Sequence, residues 1–296
     1  MIRVYKDFEV PPPGLTTDAC NAQRLKALTE KAAHNFSGYH YRDSIMDILR
    51  GIYKYKCGYC ETPELAGAGL RVDHFRPKGR VVELPHHGGY YWLGYEWSNL
   101  ILVCEKCNRK KWDHFPIGDE TTRVLQPTIG INGLPTSDCC RADKSLLVNE
   151  RAFLLNPEID DPDVHLAFLP DGDVKGKTLR GATSIDVYDL RRSPLLEDRK
   201  NMTDDIIEKL KKHLLRFLDR EIDENTYRYV MQDVYDEAVK NRQPNKAYSR
   251  VANTLFEDFE TFVVNQFPQH QQPYIKQSFN LYQKGNLWPT LKQINP

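Results

Sequence analysis

Two C-x-x-C pairs, Cys57-Gly58-Tyr59-Cys60 and Cys104-Glu105-Lys106-Cys107, stand 43 residues apart in the chain. Two such knuckles can bring four thiolates onto one tetrahedral ion, and zinc is the metal this donor set suits best. A redox C-x-x-C needs one copy only, and a disulfide framework belongs to an oxidising compartment and an even cysteine count; this chain has seven. A closed four-thiolate site has no open position for substrate or activated water, so its expected work is to staple the fold. Chemistry has to come from other residues. Cys20, Cys139 and Cys140 read as ordinary thiols.

Between the knuckles runs Asp73-His74-Phe75-Arg76-Pro77-Lys78, and Asn99-Leu100 leads into the second pair, which Asn108-Arg109-Lys110-Lys111 follows. These types suit phosphodiester hydrolysis, where a water must lose a proton and the charge gathering on phosphorus must be offset. A neutral His74 imidazole can take the proton, and the side-chain oxygen of Asn99 can accept from the other ring N–H and fix the tautomer. Asp73 and Asn108 offer hard oxygen ligands of the kind Mg²⁺ or Mn²⁺ takes. Arg76, Lys78, Arg109 and Lys111 are the expected phosphate contacts, Lys111 sharing a helix face with Asn108 three residues earlier. Adjacent strand residues point to opposite faces, so a local bend is expected at Asp73-His74. Taken singly, an Asp-His pair or a Lys/Arg run is usually a solvated surface element; the combination, framed by the knuckles, carries the reading.

In this order the parts resemble the HNH endonucleases: an Asp-His strand, an Asn-Leu strand start, and a C-x-x-C helix carrying Asn or His and then Lys. Asn108 stands where the last His of the name would be, a variant within that superfamily. The resemblance implies a ββα-metal hairpin as the catalytic core. Further along, Tyr91-Trp92-Leu93, Trp97, Leu154-Leu155-Asn156-Pro157, Asp160-Asp161-Pro162, His165-Leu166, Phe168 and residues 185–199 resemble the PtuB nucleases of Septu and of some retron anti-phage systems. That likeness spans roughly residues 40–200 of this chain. It implies a partner ATPase of the PtuA type, ABC/SMC-like; no G-x-x-x-x-G-K-[ST] loop occurs here, so nucleotide control would come from that subunit.

What must position these residues is an α+β fold: a zinc-stapled ββα-metal core, N-terminal helices, and a largely helical C-terminal region. Apolar spacing predicts two helices between Asp18 and Arg50, strands at Leu70–Phe75, Leu100–Cys104 and Val164–Leu169, and a helix opened by Ser193 as N-cap with Pro194. Ile206, Ile207, Leu210, Leu214, Phe217 and Leu218 share a face of that helix, and further helices are expected at Tyr227–Val239 and Tyr248–Phe267. The division reads as 1–50 helical, 51–125 nuclease core, 126–200 extension and 201–296 helical, the last a candidate docking surface. His86 and His87 read as exposed loop residues, Trp92 and Trp97 as core, and His114 receives no role.

With 41 basic and 41 acidic residues the chain has no net charge. Any nucleic-acid affinity must therefore be local. No run is long and apolar enough to span a bilayer, and a cytoplasmic protein is expected. DNA is the default substrate, with RNA left open, because such a site reads phosphate rather than sugar or base. Two other readings remain: a stand-alone restriction or homing-type HNH nuclease, and a non-catalytic zinc module that binds nucleic acid or protein.

Overall fold

Thr17 opens the first long helix, α1 (Asp18–Glu30), by accepting a hydrogen bond from the Cys20 amide. This satisfies one of the amides that a helix start leaves open. A π-helical turn at Tyr39–Asp43 leads to α2 (Met46–Tyr53), which stops where Lys54 and Tyr55 take φ angles of 53° and 57°. The stretch expected to hold two helices holds them. The computed structural model describes residues 1–285 and is a mixture of helices with two small sheets.

The first sheet is the hairpin of β1 (Leu70–His74) and β2 (Leu100–Cys104), antiparallel, with register from Leu70 opposite Cys104 to His74 opposite Leu100. Leu100, Ile101, Leu102 and Val103 are buried on both faces of a two-stranded sheet, because α2 and α3 (Glu105–Lys111) pack against it. Helix α3 begins directly after Cys104, with Glu105 in its first turn and Arg109, Lys110 and Lys111 in its last. That charge order complements the helix dipole. The long connection between the strands is filled with aromatic core: Tyr90, Tyr91, Trp92, Tyr95 and Trp97 are all buried. The indole N–H groups of Trp92 and Trp97 donate to the carbonyls of Cys139 and Asp7.

His87 departs from the sequence reading. It is buried, accepts from the Gly89 amide at Nδ1 (3.1 Å), and holds Nε2 3.1 Å from the Val124 carbonyl, whereas His86 is exposed as expected. Gly89, with φ of 75°, makes the turn that aims its N–H back at the ring.

After the hairpin come three single-turn helices, α4 (Ser137–Cys140), α5 (Ser145–Val148) and α6 (Pro162–His165). A second small sheet pairs β3 (Leu166–Phe168) with β4 (Val174–Gly176), and α7 (Leu179–Val187) follows behind a Thr178 cap. The third strand is shorter than expected because α6, opened by Pro162 under the Asp161 side chain, takes its first residues.

The described residues fall into two units, Met1–Ala167 with Val174–Arg191, and Phe168–Asp173 with residues 192–285; the end of the expected 201–296 helical region lies outside the described residues. The first contains all the residues singled out for chemistry. The second is helical: α8 (Ser193–Leu218), α9 (Glu224–Lys240), α10 (Ser249–Glu257), α11 (Phe259–Phe262) and α12 (Gln272–Gln283). In α8, Arg192 occupies the cap and Ser193 is already helical, its hydroxyl donating to Glu197. Ile206, Leu210 and Leu214 are buried, and Ile207, Phe217 and Leu218 flank them half-buried. The expected Tyr248–Phe267 helix is broken at Asp258, whose carboxylate caps α11 instead. Among the described residues no helix is long and apolar enough to cross a membrane.

Candidate active site and metal centre

The knuckle before β1 is shaped by one backbone bond to β2, from the Gly58 amide to the Leu102 carbonyl (2.8 Å), and one that closes its own loop, from the Cys57 amide to the Thr62 carbonyl (2.9 Å). A side chain at Gly58 would meet the Tyr53 ring at 2.7 Å and the Leu102 oxygen at 3.2 Å, so only glycine lets the knuckle approach the strand this closely. The second knuckle is the junction of β2 with α3. Together they bring the sulfurs of Cys57, Cys60, Cys104 and Cys107 within 4.8 Å of one another. The Cys60–Cys104 separation is 3.7 Å. A tetrahedral zinc with bonds of about 2.3 Å requires sulfurs about 3.8 Å apart, so the donor set and its spacing both fit that ion. Burial pushes the Cys57 thiol well up and the neighbouring sulfurs do the same to Cys107; a divalent cation among them would favour the thiolates.

Asp73 and His74 end β1 and line one cleft of 490 Å³, together with Tyr41, Arg71, Lys78, Asn108, Arg109 and Trp112. The ladder pairs one residue with one as far as His74, so no bulge produces the expected bend. Instead the two side chains go to different surroundings. The Asp73 carboxylate accepts from the Tyr59 hydroxyl (2.7 Å) and from the Lys111 ammonium (3.2 Å). Burial pushes its carboxyl up, and the Lys111 charge and the Tyr59 hydrogen bond oppose that rise. Tyr59 is in turn held by stacking on Tyr188, 3.8 Å between centroids.

His74 is buried against Tyr41 and Phe36. Its Nε2 lies 2.9 Å from the Gly94 carbonyl oxygen. A carbonyl only accepts, so Nε2 carries the proton and Nδ1 carries the lone pair. Burial, and after it the nearby Lys78 charge, hold the imidazole well below its usual range and therefore neutral. The Lys78 ammonium sits 3.4 Å from Nδ1 and leans over the Tyr41 ring, 5.1 Å from its centroid. Burial pulls its own pKa down.

Three residues chosen from the sequence sit elsewhere than expected. Asn99 does not reach His74: its side-chain oxygen accepts from the Arg76 amide (2.8 Å), and its amide nitrogen donates to the Arg76 and Leu93 carbonyls. It braces the chain leaving β1, while the Gly94 carbonyl fixes the His74 tautomer. Arg76 is buried and faces away from the cleft, donating to Glu150 (2.8 Å) and to the Leu147 carbonyl (2.7 Å). Lys111 is fully buried and spans Asp73 and the His74 carbonyl oxygen (2.7 Å). It can reach the carboxylate but not solvent. Lys78, Asn108 and Arg109 do line the cleft, Arg109 exposed and paired with Glu105 one turn back. Tyr59, Gly94 and Tyr41 were not legible as site residues; only Tyr59, inside the first knuckle, carried any positional signal.

Comparison with known proteins agrees with this geometry. The family described as HNH endonuclease matches residues 57–114, the span from the first knuckle to the end of α3 and the turn beyond it. The Septu protein PtuB of Bacillus mycoides (strain KBAB4) is 30% identical over 88% of this chain and 90% of its own length. The chain belongs to the PtuB family of HNH proteins. A second PtuB, from Bacillus thuringiensis, is 24% identical over 56% of this chain and 48% of its own length. A stretch amounting to 24% of the Septu protein PtuA of Bacillus mycoides is 29% identical to 67% of this chain. A PtuB-like segment thus occurs inside a longer protein bearing the PtuA name.

Proposed function

We propose that the chain is a metal-dependent endonuclease that hydrolyses phosphodiester bonds of nucleic acid, DNA in the first instance, as the cytoplasmic effector of an anti-phage defence system. The observation that carries this reading is the pairing of His74 with Gly94. Nε2 is committed to a carbonyl, so the lone pair on Nδ1 stands in a cleft shared with Asp73 and Asn108. A general base needs that disposition: a neutral imidazole, a fixed tautomer and access to a water.

Asp73 and Asn108 would hold Mg²⁺ or Mn²⁺, ions that keep several waters and need few protein ligands; the carboxylate retains lone pairs beside its bonds to Tyr59 and Lys111. When bound, such an ion offsets the charge that gathers on the phosphoryl oxygens. In the proposed step a water oxygen forms a bond to phosphorus as the ester P–O bond breaks. His74 Nδ1 takes the water's proton, and the departing oxygen collects one from solvent. Lys78, now resting on Nδ1, swings to the incoming phosphate and so frees the base. Arg109 guides the backbone from the rim. Lys111 is assigned a positioning part, holding Asp73 in register with His74.

The partner proposed is an ATPase of the PtuA type. Its support is the relatedness to Septu proteins and the PtuB-like segment within a PtuA, because sequences that occur fused in one chain are natural candidates to meet as two. The helical unit from Arg192 on is assigned the docking role.

The test is cleavage of plasmid, single-stranded DNA and total RNA by the purified chain with Mg²⁺, Mn²⁺ or EDTA, with and without a co-purified PtuA-type ATPase. Cleavage that needs the metal is the expected result. Silence on every substrate, with the ATPase present and zinc bound, would hand the case to the non-catalytic module.

A further inference from the structure

Trp112 stands at the first central position of a tight turn, where the His114 amide donates to the Lys111 carbonyl (2.9 Å). Its backbone angles, φ 44° and ψ −121°, are close to those of a type II′ turn, a conformation that glycine adopts freely and a bulky side chain does not. A tryptophan kept there is strained, and the usual compensation, burial of its indole, is missing: Trp112 is 57% exposed. Trp92 and Trp97, by contrast, are core residues.

The indole is not loose. The Arg80 guanidinium lies 4.0 Å from its ring centroid, and Arg80 is itself fixed by a 2.8 Å bond to Asp113. The ring lines the same cleft as Asp73 and His74. A rigid aromatic plate, backed by a cation and set at the edge of a phosphate-cleaving site, has the chemistry of a base-stacking platform.

We propose that Trp112 stacks on an unpaired nucleobase next to the scissile phosphate, so that the cleft prefers single-stranded or locally opened nucleic acid over intact duplex. The proposal rests on the nuclease reading for the identity of its ligand, but stacking is read by binding and not by turnover. A base inside a duplex is already stacked on both faces and offers the indole nothing without distortion. Every base has a π-face, so the preference is for strandedness and not for sequence.

The experiment measures binding of the full chain, in zinc-replete buffer free of Mg²⁺ and Mn²⁺, to a labelled oligothymidine and to a duplex of equal length. Trp112→Gly, Trp112→Leu and Trp112→Phe are compared with the parent. Trp112→Gly relieves the turn and should raise the thermal midpoint by about 1–3 °C while weakening single-strand binding about tenfold. Trp112→Leu should lose the same affinity, Trp112→Phe should keep most of it, and duplex binding should change little in all three. An abasic strand of the same length, which keeps the phosphates and lacks every base, should reproduce the loss in the parent and bind Trp112→Gly no more weakly than oligothymidine does. Parental single-strand affinity in Trp112→Gly and Trp112→Leu overturns the proposal, as does a parent that binds both probes equally or neither. Trp112-dependent binding without cleavage under any metal leaves the platform standing and removes the nuclease reading instead.

Discussion

Lys111 and Asp73 form a buried ion pair, 3.2 Å from ammonium to carboxylate, and the same ammonium donates at 2.7 Å to the His74 carbonyl oxygen. One side chain from the last turn of α3 thus ties together the two adjacent residues on which the proposed chemistry depends. Lys111→Met leaves the Asp73 carboxylate buried with only Tyr59 as partner, and should destabilise the first unit by about 3–5 kcal/mol. Adding Asp73→Asn should restore most of that loss, since the orphaned charge is removed as well. Denaturant unfolding of the two single variants and the double variant, with zinc present and Mg²⁺ absent, measures the coupling. Additive effects would mean that the pair is not formed.

Two arginines near the knuckles should behave in opposite ways. Arg76 is buried against Glu150, a carboxylate that also accepts from the Tyr90 hydroxyl and the Val124 amide. Arg76→Ala therefore leaves a buried charge short of its main partner, and should cost about 3 kcal/mol of stability, in the range measured for broken buried pairs. Arg109 is exposed, so Arg109→Ala should leave the unfolding curve unchanged. It should instead weaken nucleic-acid binding and flatten its salt dependence by about one unit of slope. Titrations at several salt concentrations decide, and a reversed pattern would return Arg76 to the phosphate-binding surface.

What could be read from the sequence follows the physics of each signal. The four cysteines were legible because a paired knuckle has few other uses, and the hairpin because Leu100–Cys104 is a short apolar run fixed to a knuckle at one end. Charge alone could not tell that Lys111 and Arg76 turn into the core while Lys78 turns into the cleft and Arg109 to its exposed rim. That choice is made by the partners Asp73 and Glu150, the second of which lies 74 residues from Arg76 and carries no local mark. The bond that sets the His74 tautomer was equally hidden, because its acceptor is a backbone carbonyl, which any residue type supplies. Trp112 escaped notice because a positive φ leaves no trace when the residue is not glycine. The break at Asp258 was missed because an apolar helical period continues on both sides of a residue that prefers to cap.

His74→Ala should lower cleavage by about 10²–10⁴-fold, the usual contribution of a positioned general base. The imidazole is buried against Tyr41 and Phe36, so the substitution also leaves a small cavity and a modest loss of stability. Zinc content and the circular dichroism spectrum should nevertheless match the parent, since no cysteine ligand and no ladder bond involves the ring. The informative companion is Lys78→Met, which removes the cation from Nδ1 and leaves the base in place. It should retain more activity than His74→Ala and show a weakened dependence on the phosphate backbone. Equal loss in both variants would assign the proton transfer to the pair and not to His74 alone.

Cys104→Ser tests the staple and not the chemistry. Cys104 joins β2 to α3 and lies 3.7 Å from Cys60 of the first knuckle, so losing one thiolate opens the closed site that fixes both ends of the hairpin. Bound zinc, measured on the purified protein, should fall from one per chain to a small fraction. The first unit should then melt earlier, because the free energy of binding metal to a preformed site is lost from folding. Removing zinc from the parent with a strong chelator should reproduce the same curve. Activity should disappear in both cases, but for a different reason than in His74→Ala: Asp73 and Asn108 lose the frame that sets them on facing elements. Restoring Mg²⁺ alone should not recover cleavage, whereas restoring zinc to the chelated parent should. A Cys104→Ser protein that keeps its melting point and its activity would remove the metal centre from the fold.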